Sequence, residues 1–263
     1  MSLKYGIVFS VLLLVFYSCS HTNQFPQLIS EKLTTDQVEL NHSFFPDGFT
    51  TLSDSAAKND FSTELEKLTR EKKKFDDHDS TFNPSELEDL WINIQPNRNN
   101  FSFENVKKWI DITGFLLELT GNTKYAGELE EIVYQSPLFL TESEYTEIEK
   151  EITPLIFTKD VDHIYVNLFA NATVKYEHSL KGAVEITQET SYPDSGKIQI
   201  KFKMEKKRYI ELFIRIPDWA EGATVTEWRV KYVTVPGEYC QIMRKWGDGD
   251  VVEINFPIEN KPK

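Results

Sequence analysis

The stretch that decides the fold is KIQIKFKMEKKRYIELFIRI, residues 197–216. Ile198, Ile200 and Phe202 alternate with lysine and glutamine, and the residues after position 208 repeat this pattern. A period of two is typical of a strand with one buried face and one face in water. Residues 252–256 show it again, and turn residues such as proline, glycine and aspartate separate the runs. About eight short strands at this spacing predict an antiparallel β-sandwich.

The chain before residue 160 carries helical signals instead. Asn83 is a candidate N-cap for a first helix. A stronger helix follows, with apolar residues at near-helical spacing over 106–117, and Gly121 ends it. Another helix carries residues 125–133, and the sequence TESE at 141–144 is a capping box that opens a short one. The predicted fold class is therefore α+β, with a small helical part before the sandwich.

The charge of the chain excludes one class of partner. Its 263 residues carry a formal net charge of −13, with a sequence pI near 4.9. Nucleic-acid binding requires a basic face that neutralises phosphates, so we expect no nucleic-acid partner. The apolar content of 40% is that of an ordinary globular protein and suffices for a sizeable core.

The N-terminus has the layout of an export signal. Lys4 precedes an apolar stretch at 7–17, and the small residue Ser18 stands before Cys19. We expect residues 1–19 to be a lipoprotein signal peptide with Cys19 as the lipidated residue, although the usual leucine three positions before the cysteine is missing. Ordinary secretion, with no role for Cys19, is the alternative. Acylation would hold the protein on a membrane surface, in the periplasm or at the outer membrane.

The remaining chain divides by composition into three segments. Residues 20–80 are polar and irregular, which predicts a tether with one helix at 62–74. Residues 81–160 form the helical part, and residues 161–263 form the sandwich. With Cys240 as the only cysteine besides Cys19, we expect no disulfide framework, and stability must come from packing.

Five stretches follow one another in the order found in one known family. They read FLLELTGNTKYAGELEEIVYQ at 115–135, IYVNLF at 164–169, QETSYP at 188–193, FIRIPDWA at 213–220 and RKWGDGDVVEINFPI at 244–258. Together they resemble the late barrel helices and the β-sandwich of glycoside hydrolase family 127, the β-L-arabinofuranosidases. The resemblance implies an α/α barrel in which a glutamate acid/base and a zinc-bound cysteine nucleophile cleave a terminal arabinofuranose. It also implies that the helical part is a remnant of this barrel, because the segment is too short for the whole.

The residues that carry the family's chemistry are missing from the matching positions. The zinc motif would fall at FSFEN, residues 101–105, where Glu104 is the only carboxylate and no cysteine is present. The paired cysteines would fall at 138–145, which reads LFLTESEY. Cys240 shares a strand face with Ile242 and is expected to be a core thiol. Because a thiolate nucleophile needs zinc or a nearby positive charge, we expect no metal and no cofactor, and we assign no catalytic residue.

Several side chains remain as candidates for binding or catalysis. Trp219 and Trp246 stand beside turns, where each either closes the end of the sandwich or serves as a carbohydrate contact. Arg215 and Arg244 are expected to be surface or paired residues. A glycosidase needs two carboxylates roughly 5–10 Å apart, but the helical glutamates have the spacing of solvated faces. These glutamates are Glu118, Glu128, Glu130, Glu131, Glu142, Glu144, Glu147 and Glu149.

The sequence thus predicts an exported lipoprotein related to family 127 that is catalytically inactive and carbohydrate-associated or accessory. One alternative is an active glycosidase with a relocated carboxylate pair or a partner chain, which requires a cleft between the helices and the sandwich. Another is a structural or protein-interaction role. The apolar face of the helix at 109–119 needs cover from the sandwich, from residues 40–80 or from a protein partner. We expect Phe44, Phe45 and Phe49 to fold over it.

Overall fold

The computed structural model describes residues 25–44, 61–134 and 141–261. The signal segment with Cys19, and also Phe45 and Phe49, lie outside the described residues. The described residues contain five helices: α1 (Ser62–Asp76), α2 (Pro84–Ile94), α3 (Phe103–Thr120), α4 (Thr123–Tyr134) and α5 (Glu142–Ile152). Short 3-10 turns cover Gln95–Asn100, Thr153–Leu155 and Ile258–Asn260. None of the described helices has the length and apolarity needed to cross a bilayer.

The helix ends follow from their capping residues. The side chain of Asn83 accepts a hydrogen bond from the Ser85 amide at the start of α2. Gly121 takes the left-handed conformation, with φ of 62°, and closes α3 by donating to the Leu117 carbonyl. Thr141 and Glu144 form the predicted capping box at the start of α5. The caps read from the sequence are therefore confirmed.

Helix α3 is the centre of the helical part, and the chain itself covers it. Trp109 stacks on Trp91 of α2 with ring centres 5.1 Å apart, and Phe115 meets the edge of Phe75 of α1 at 5.0 Å. Gly114 lets the backbone approach Leu155, since an added Cβ would lie 2.8 Å from a Leu155 methyl carbon. The cover therefore comes from α1, α2 and the turn after α5.

The sandwich consists of two sheets whose strands interleave along the chain. The described strands are β1 (Glu31–Lys32), β2 (Val38–Leu40), β3 (Phe157–Asp160), β4 (His163–Val166), β5 (Ala172–Glu177), β6 (Ala183–Thr190), β7 (Lys197–Met204), β8 (Arg208–Arg215), β9 (Thr224–Glu227), β10 (Val230–Tyr232), β11 (Tyr239–Trp246) and β12 (Val251–Asn255). One sheet has the order β1-β3-β4-β8-β11, and the other has the order β10-β9-β12-β7-β6-β5-β2. The α+β class with a C-terminal sandwich is confirmed, but the pairing is not antiparallel throughout, because β4 and β8 run parallel.

Part of the segment predicted as a tether belongs to the folded body. Strand β1 pairs with β3, and β2 pairs with β5, so residues 31–40 add an edge to each sheet. The amide of Lys32 also donates to the Glu118 carboxylate of α3 at 2.5 Å. Burial, which disfavours the charged form, raises the pKa of the Glu118 carboxyl group. The sequence missed these strands because they are two and three residues long and are formed by pairing with distant strands.

Phe44 packs against the end of α4, whereas we expected it to cover α3. Its ring is buried and meets the edge of Tyr134 at the end of α4, with ring centres 5.8 Å apart. The hydroxyl of Ser43 and the amide of Phe44 lie within hydrogen-bonding distance of Glu149 on α5, the amide at 3.1 Å. The residues before the gap at 45–60 therefore pack between the last two helices.

Candidate functional site

A cleft of about 400 Å³ opens where α4 and the end of α2 meet the loops at one end of the sandwich. We call this the junction cleft. Its sandwich wall is formed by Arg215, Ile216, Asp218, Trp219 and Gly237, at the ends of β8 and the loop before β11. Its helical wall is lined by Trp91, Gln95, Asn122, Thr123, Lys124, Gly127, Glu128, Glu130 and Glu131. Four of the lining residues carry carboxylates, so this is the cleft that the active-glycosidase alternative requires.

Glu128 is held by donors from two other helical segments. Trp109 Nε1 donates to one carboxylate oxygen at 2.8 Å, and Gln95 Nε2 donates to the other at 3.0 Å. Arg98 Nε lies 3.1 Å from the first oxygen and forms an ion pair with it. Both oxygens are thus engaged inside the protein, and the side chain fixes α4 to α3 and to the 3-10 turn that follows α2.

Glu130 forms a buried ion pair across the junction between helices and sandwich. It contacts Arg215 Nη2 and the Tyr192 hydroxyl, and Lys261 Nζ lies 3.6 Å away. The side chains of Glu130 and Arg215 are each only 3% exposed. Burial and then the Glu130 charge raise the pKa of the Tyr192 hydroxyl. Desolvation lowers the pKa of Lys261, against the opposing attraction of Glu130.

Arg215 extends this network into the sandwich. Its Nε donates to the Asn167 carbonyl at 2.6 Å, and the Asn167 side-chain amide donates to the Leu155 carbonyl at 3.1 Å. Tyr239 donates its hydroxyl to Asn167 Oδ1 at 2.6 Å. Because Arg215 is paired and buried, the guanidinium serves to join the two parts of the fold. Arg244 is paired as well, with Glu227 and Asp250.

The prediction that the helical glutamates lie on solvated faces is wrong for three of them. Glu118, Glu128 and Glu130 are buried, with at most 7% of each residue exposed. Buried carboxylates require partners, and here the partners come from segments distant in sequence. Glu131 of the cleft is half-buried and pairs with Arg98. The α5 acids lie outside the cleft, where Glu144 is the capping residue and Glu147 pairs with Lys107.

The two predicted tryptophans have opposite environments. Trp219 is half-buried at the cleft, where its ring meets the edge of Phe256 at 6.1 Å. Trp246 is fully buried, stacks on Phe202 of the opposite sheet at 4.1 Å and donates its Nε1 to the Ile210 carbonyl. It has no exposed ring face, so the expectation that Trp246 contacts carbohydrate is corrected: it fills the core between the sheets.

The zinc chemistry of the family does not fit the described residues. Glu104 lies in the first turn of α3 and pairs with Lys107 at 3.1 Å, while Cys240 is buried in the sandwich. Burial raises the pKa of the Cys240 thiol to about 11, which opposes the thiolate that a metal or a nucleophile requires. Within residues 25–44, 61–134 and 141–261, no three His, Cys, Asp or Glu side chains converge as a metal site.

The β-sandwich matches a known protein family. Residues 163–258 match the family model described as "Beta-L-arabinofuranosidase, GH127 middle domain". The chain is related to the GH127 glycoside hydrolases. The match covers the strands from β4 to β12, and it leaves the helical part unassigned. A search of curated proteins finds no match.

Solved glycoside hydrolase structures align with this chain over part of their own length. One is titled "Glycoside hydrolase", with 22% identity, a TM-score of 0.49 and coverage of 57% of this chain and 32% of that one. Ara127N-Se, a GH127 β-L-arabinofuranosidase from Geobacillus stearothermophilus T6, gives 22% identity, a TM-score of 0.49 and coverage of 60% and 31%. Another GH127 β-arabinofuranosidase gives 20% identity, a TM-score of 0.47 and coverage of 57% of this chain and 32% of that one. The chain thus spans about a third of the length of these structures.

Proposed function

We propose that this GH127 relative is an exported, lipid-anchored protein that binds carbohydrate in the junction cleft without cleaving it. The observation that carries the proposal is the contrast within the cleft. Its buried glutamates are engaged by protein donors, whereas the Trp219 side chain is only partly buried beside them. An aromatic wall with a few polar groups is typical of small-ligand sites.

The arrangement of the carboxylates argues against hydrolysis. Glycosidases pair an acid that is kept protonated with a second carboxylate that is free to act as nucleophile or base. Glu128 accepts from Trp109 and Gln95, and Glu130 accepts from Arg215 and Tyr192. Both oxygens of each carboxylate therefore already accept from protein donors, so neither glutamate presents an unengaged oxygen to a sugar in the cleft.

The polar groups near Trp219 suit the hydroxyls of a sugar. Asp218, Asn122 and Lys124 are exposed lining residues of the cleft. Asp218 Oδ1 accepts from the Trp219 amide at 2.9 Å, which holds the start of this loop. We propose arabinose-containing oligosaccharides as the ligand class, because the matched family model and two of the aligned structures carry arabinofuranosidase names.

The test is calorimetric titration of the purified full chain with arabino-oligosaccharides, together with analysis of released sugar. We expect binding, no release of arabinose, and about tenfold weaker binding by Trp219→Ala, since a tenfold loss is about 1.4 kcal/mol, a value in the range of a stacked aromatic contact. Trp228→Ala is the matched control, because Trp228 is exposed elsewhere on the sandwich. If Trp219→Ala binds as tightly as the parent, the carbohydrate does not bind in the junction cleft.

An active glycosidase remains the second candidate because four acidic residues line one cleft. Asp218 is exposed, and within the described residues its carboxylate accepts one hydrogen bond, from the Trp219 amide. If the chain is a hydrolase, arabinose is released and Asp218→Asn or Glu131→Gln abolishes the release. Such a result would replace the non-catalytic proposal. A structural or protein-interaction role, with a partner on the helical face, stays a prediction.

Export and anchoring rest on the N-terminal sequence alone. We propose that Cys19 is acylated and that the protein is held at a membrane in the periplasm or at the outer membrane. Mass analysis of the N-terminal peptide from the native host should show a lipid-modified cysteine that Cys19→Ser lacks. An unmodified N-terminus beyond residue 19 would indicate ordinary secretion instead.

A further inference from the structure

The strand register gathers five loops at the end of the sandwich away from the junction cleft. The pairs Glu177 with Ala183, Trp246 with Arg208, and His163 with Glu211 mark this end in both sheets. Three more cross-strand pairs place the loops next to β7, β9 and β12 at the same end. They are Val184 with Met204, Val251 with Lys201 and Val252 with Glu227. We call it the distal end, made of residues 161–162, 178–182, 205–207, 228–229 and 247–250. Arg215, at the other end of β8, marks the junction end.

Three residues of the distal end hold the backbone in a conformation that side chains disfavour. Val161, Lys181 and Trp228 have φ of 49°, 60° and 55°. Among the described residues, one further non-glycine residue, His78, has a positive φ. A β-branched or bulky residue in this region costs free energy that glycine would avoid. Such strain collects where a side chain is kept for its function.

The same loops expose large apolar side chains. Trp228 is 83% exposed, Leu180 is 74% exposed, and Val161 is 60% exposed. Trp228 opens the two-residue turn between β9 and β10, because Glu227 pairs directly with Val230. The Arg229 guanidinium carbon lies 5.7 Å from the centre of the Trp228 ring. These side chains are therefore presented outward from a rigid sheet scaffold.

The cations of the distal end have no carboxylate partners among the described residues. Lys181, Lys206, Lys207 and Arg229, and also Arg208 at the start of β8, form no ion pair within 4 Å. The Arg208 guanidinium instead donates to the Lys181 carbonyl at 2.5 Å, which draws two of the loops together.

Most acids of these loops are already engaged. Asp162 accepts from the Ser179 amide at 3.1 Å, Asp248 accepts from the Met204 amide at 3.2 Å, and Asp250 accepts from the Gly247 amide at 2.8 Å. Glu205 is exposed. On a chain of net charge −13, this end thus combines unpaired cations with exposed apolar tips.

We propose that the distal end docks on an anionic lipid surface. Apolar tips enter the boundary between headgroups and hydrocarbon, where tryptophan is favoured, and flanking lysine and arginine pair with lipid phosphates. Valine and leucine tips suit hydrocarbon, whereas a polysaccharide site would use aromatic planes with polar neighbours. Docking by this end directs the junction cleft away from the membrane. The proposal does not depend on acylation of Cys19 or on sugar binding.

The experiment is vesicle sedimentation of the full chain carrying Cys19→Ala, so that no acyl group contributes. Vesicles of phosphatidylcholine alone are compared with vesicles that also contain phosphatidylglycerol. We expect binding to the anionic vesicles that falls with added salt. The variant Leu180→Ala with Trp228→Ala should bind at least about tenfold more weakly, because two apolar tips are lost.

Charge is tested by removing three cations. The triple variant Lys181→Gln, Lys206→Gln, Arg229→Gln should lose binding to anionic vesicles by about tenfold or more, with a weaker salt dependence. The matched control is Lys32→Gln, Lys67→Gln, Lys150→Gln, which removes the same charge from exposed positions away from the distal end. The control should bind like the parent chain.

Trp228→Gly separates folding from docking. Glycine accepts the positive φ without strain, so this variant should melt no lower than the parent and yet bind vesicles as weakly as Trp228→Ala. The proposal is overturned if the parent chain does not sediment with anionic vesicles, or if the control and the distal variants lose binding equally. Binding to soluble polygalacturonate without vesicle binding would also overturn it and assign the patch to an acidic polysaccharide.

Discussion

At the junction end of the sandwich Arg215 is 2% exposed and matched to Glu130, whereas at the distal end Arg229 is exposed beside Trp228 and meets no carboxylate of the described residues. The two ends also differ in backbone. Three of the distal loops contain non-glycine residues at positive φ, and the charges at the junction sit on regular helix and strand. At the junction end, charged side chains hold the helices and the sandwich together. At the distal end, the cations are free of carboxylate partners among the described residues and can meet an external ligand.

The largest effect should come from breaking the buried pair at the junction. Arg215→Ala leaves Glu130 buried without its main partner, and we expect a loss of roughly 3–5 kcal/mol in the free energy of unfolding. Urea unfolding measures it, with Arg229→Ala as the distal control, which should change stability by less than about 0.5 kcal/mol. The double variant Glu130→Leu, Arg215→Leu should be less damaging than Arg215→Ala. If Arg215→Ala is as stable as the parent, the Glu130–Arg215 pair does not stabilise the fold.

The tryptophans give the same comparison without charge. Trp246→Ala empties the stacked site against Phe202 and should cost about 3–5 kcal/mol. Trp228→Ala removes an exposed ring and should stay within about 0.5 kcal/mol of the parent. Thermal melting of both variants, followed by circular dichroism, checks the order. A larger loss in Trp228→Ala would show that the distal ring is packed.

A smaller effect concerns pH and the buried thiol of Cys240, which lies near the junction end of β11. The pKa of Cys240 is raised from 9.0 to about 11, because burial disfavours the thiolate. The unfolded chain ionises first as pH rises, so this contribution to stability is complete below about pH 9 and is lost as pH passes through about 11. Against a Cys19→Ala background, Cys240→Ala should flatten the decline between these pH values. An unchanged alkaline decline would assign it to the buried tyrosines alone.

The smallest expected effect is a gain. Trp228→Gly relieves the positive φ at the β9–β10 turn, and we expect the free energy of unfolding to rise by about 0.5–1 kcal/mol after the entropic cost of glycine. Chemical denaturation against Trp228→Ala measures the backbone contribution alone, since both variants lose the ring. If glycine is no better than alanine here, the turn is not strained.

The local pattern of the sequence sufficed for strands β7, β8 and β12 and for the helix caps. Alternation and capping depend on residues within a few positions of one another. The alternating pattern therefore predicted correctly that Ile198, Ile200 and Phe202 are buried. The parallel pairing of β4 with β8 joins residues more than forty positions apart, and no local signal encodes it. The edge strands β1 and β2 escaped for the same reason.

The junction network could not be predicted from spacing either. Glu128 and Glu130 stand in a run of acids that reads as a solvated helix face, but Arg215 lies 85 residues after Glu130. Burial of an acid is decided by a partner that only the fold brings near. Trp219 was predicted correctly as a residue beside a turn, whereas its place on the junction cleft emerged only from the packing of α4 against the sandwich.

The most direct measurement is titration of the parent chain, Trp219→Ala and Trp228→Ala with the same arabino-oligosaccharide, with released arabinose followed in each sample. Our account predicts that the parent and Trp228→Ala bind equally, that Trp219→Ala binds about tenfold more weakly, and that no arabinose appears. Arabinose release by the parent, or undiminished binding by Trp219→Ala, would contradict it.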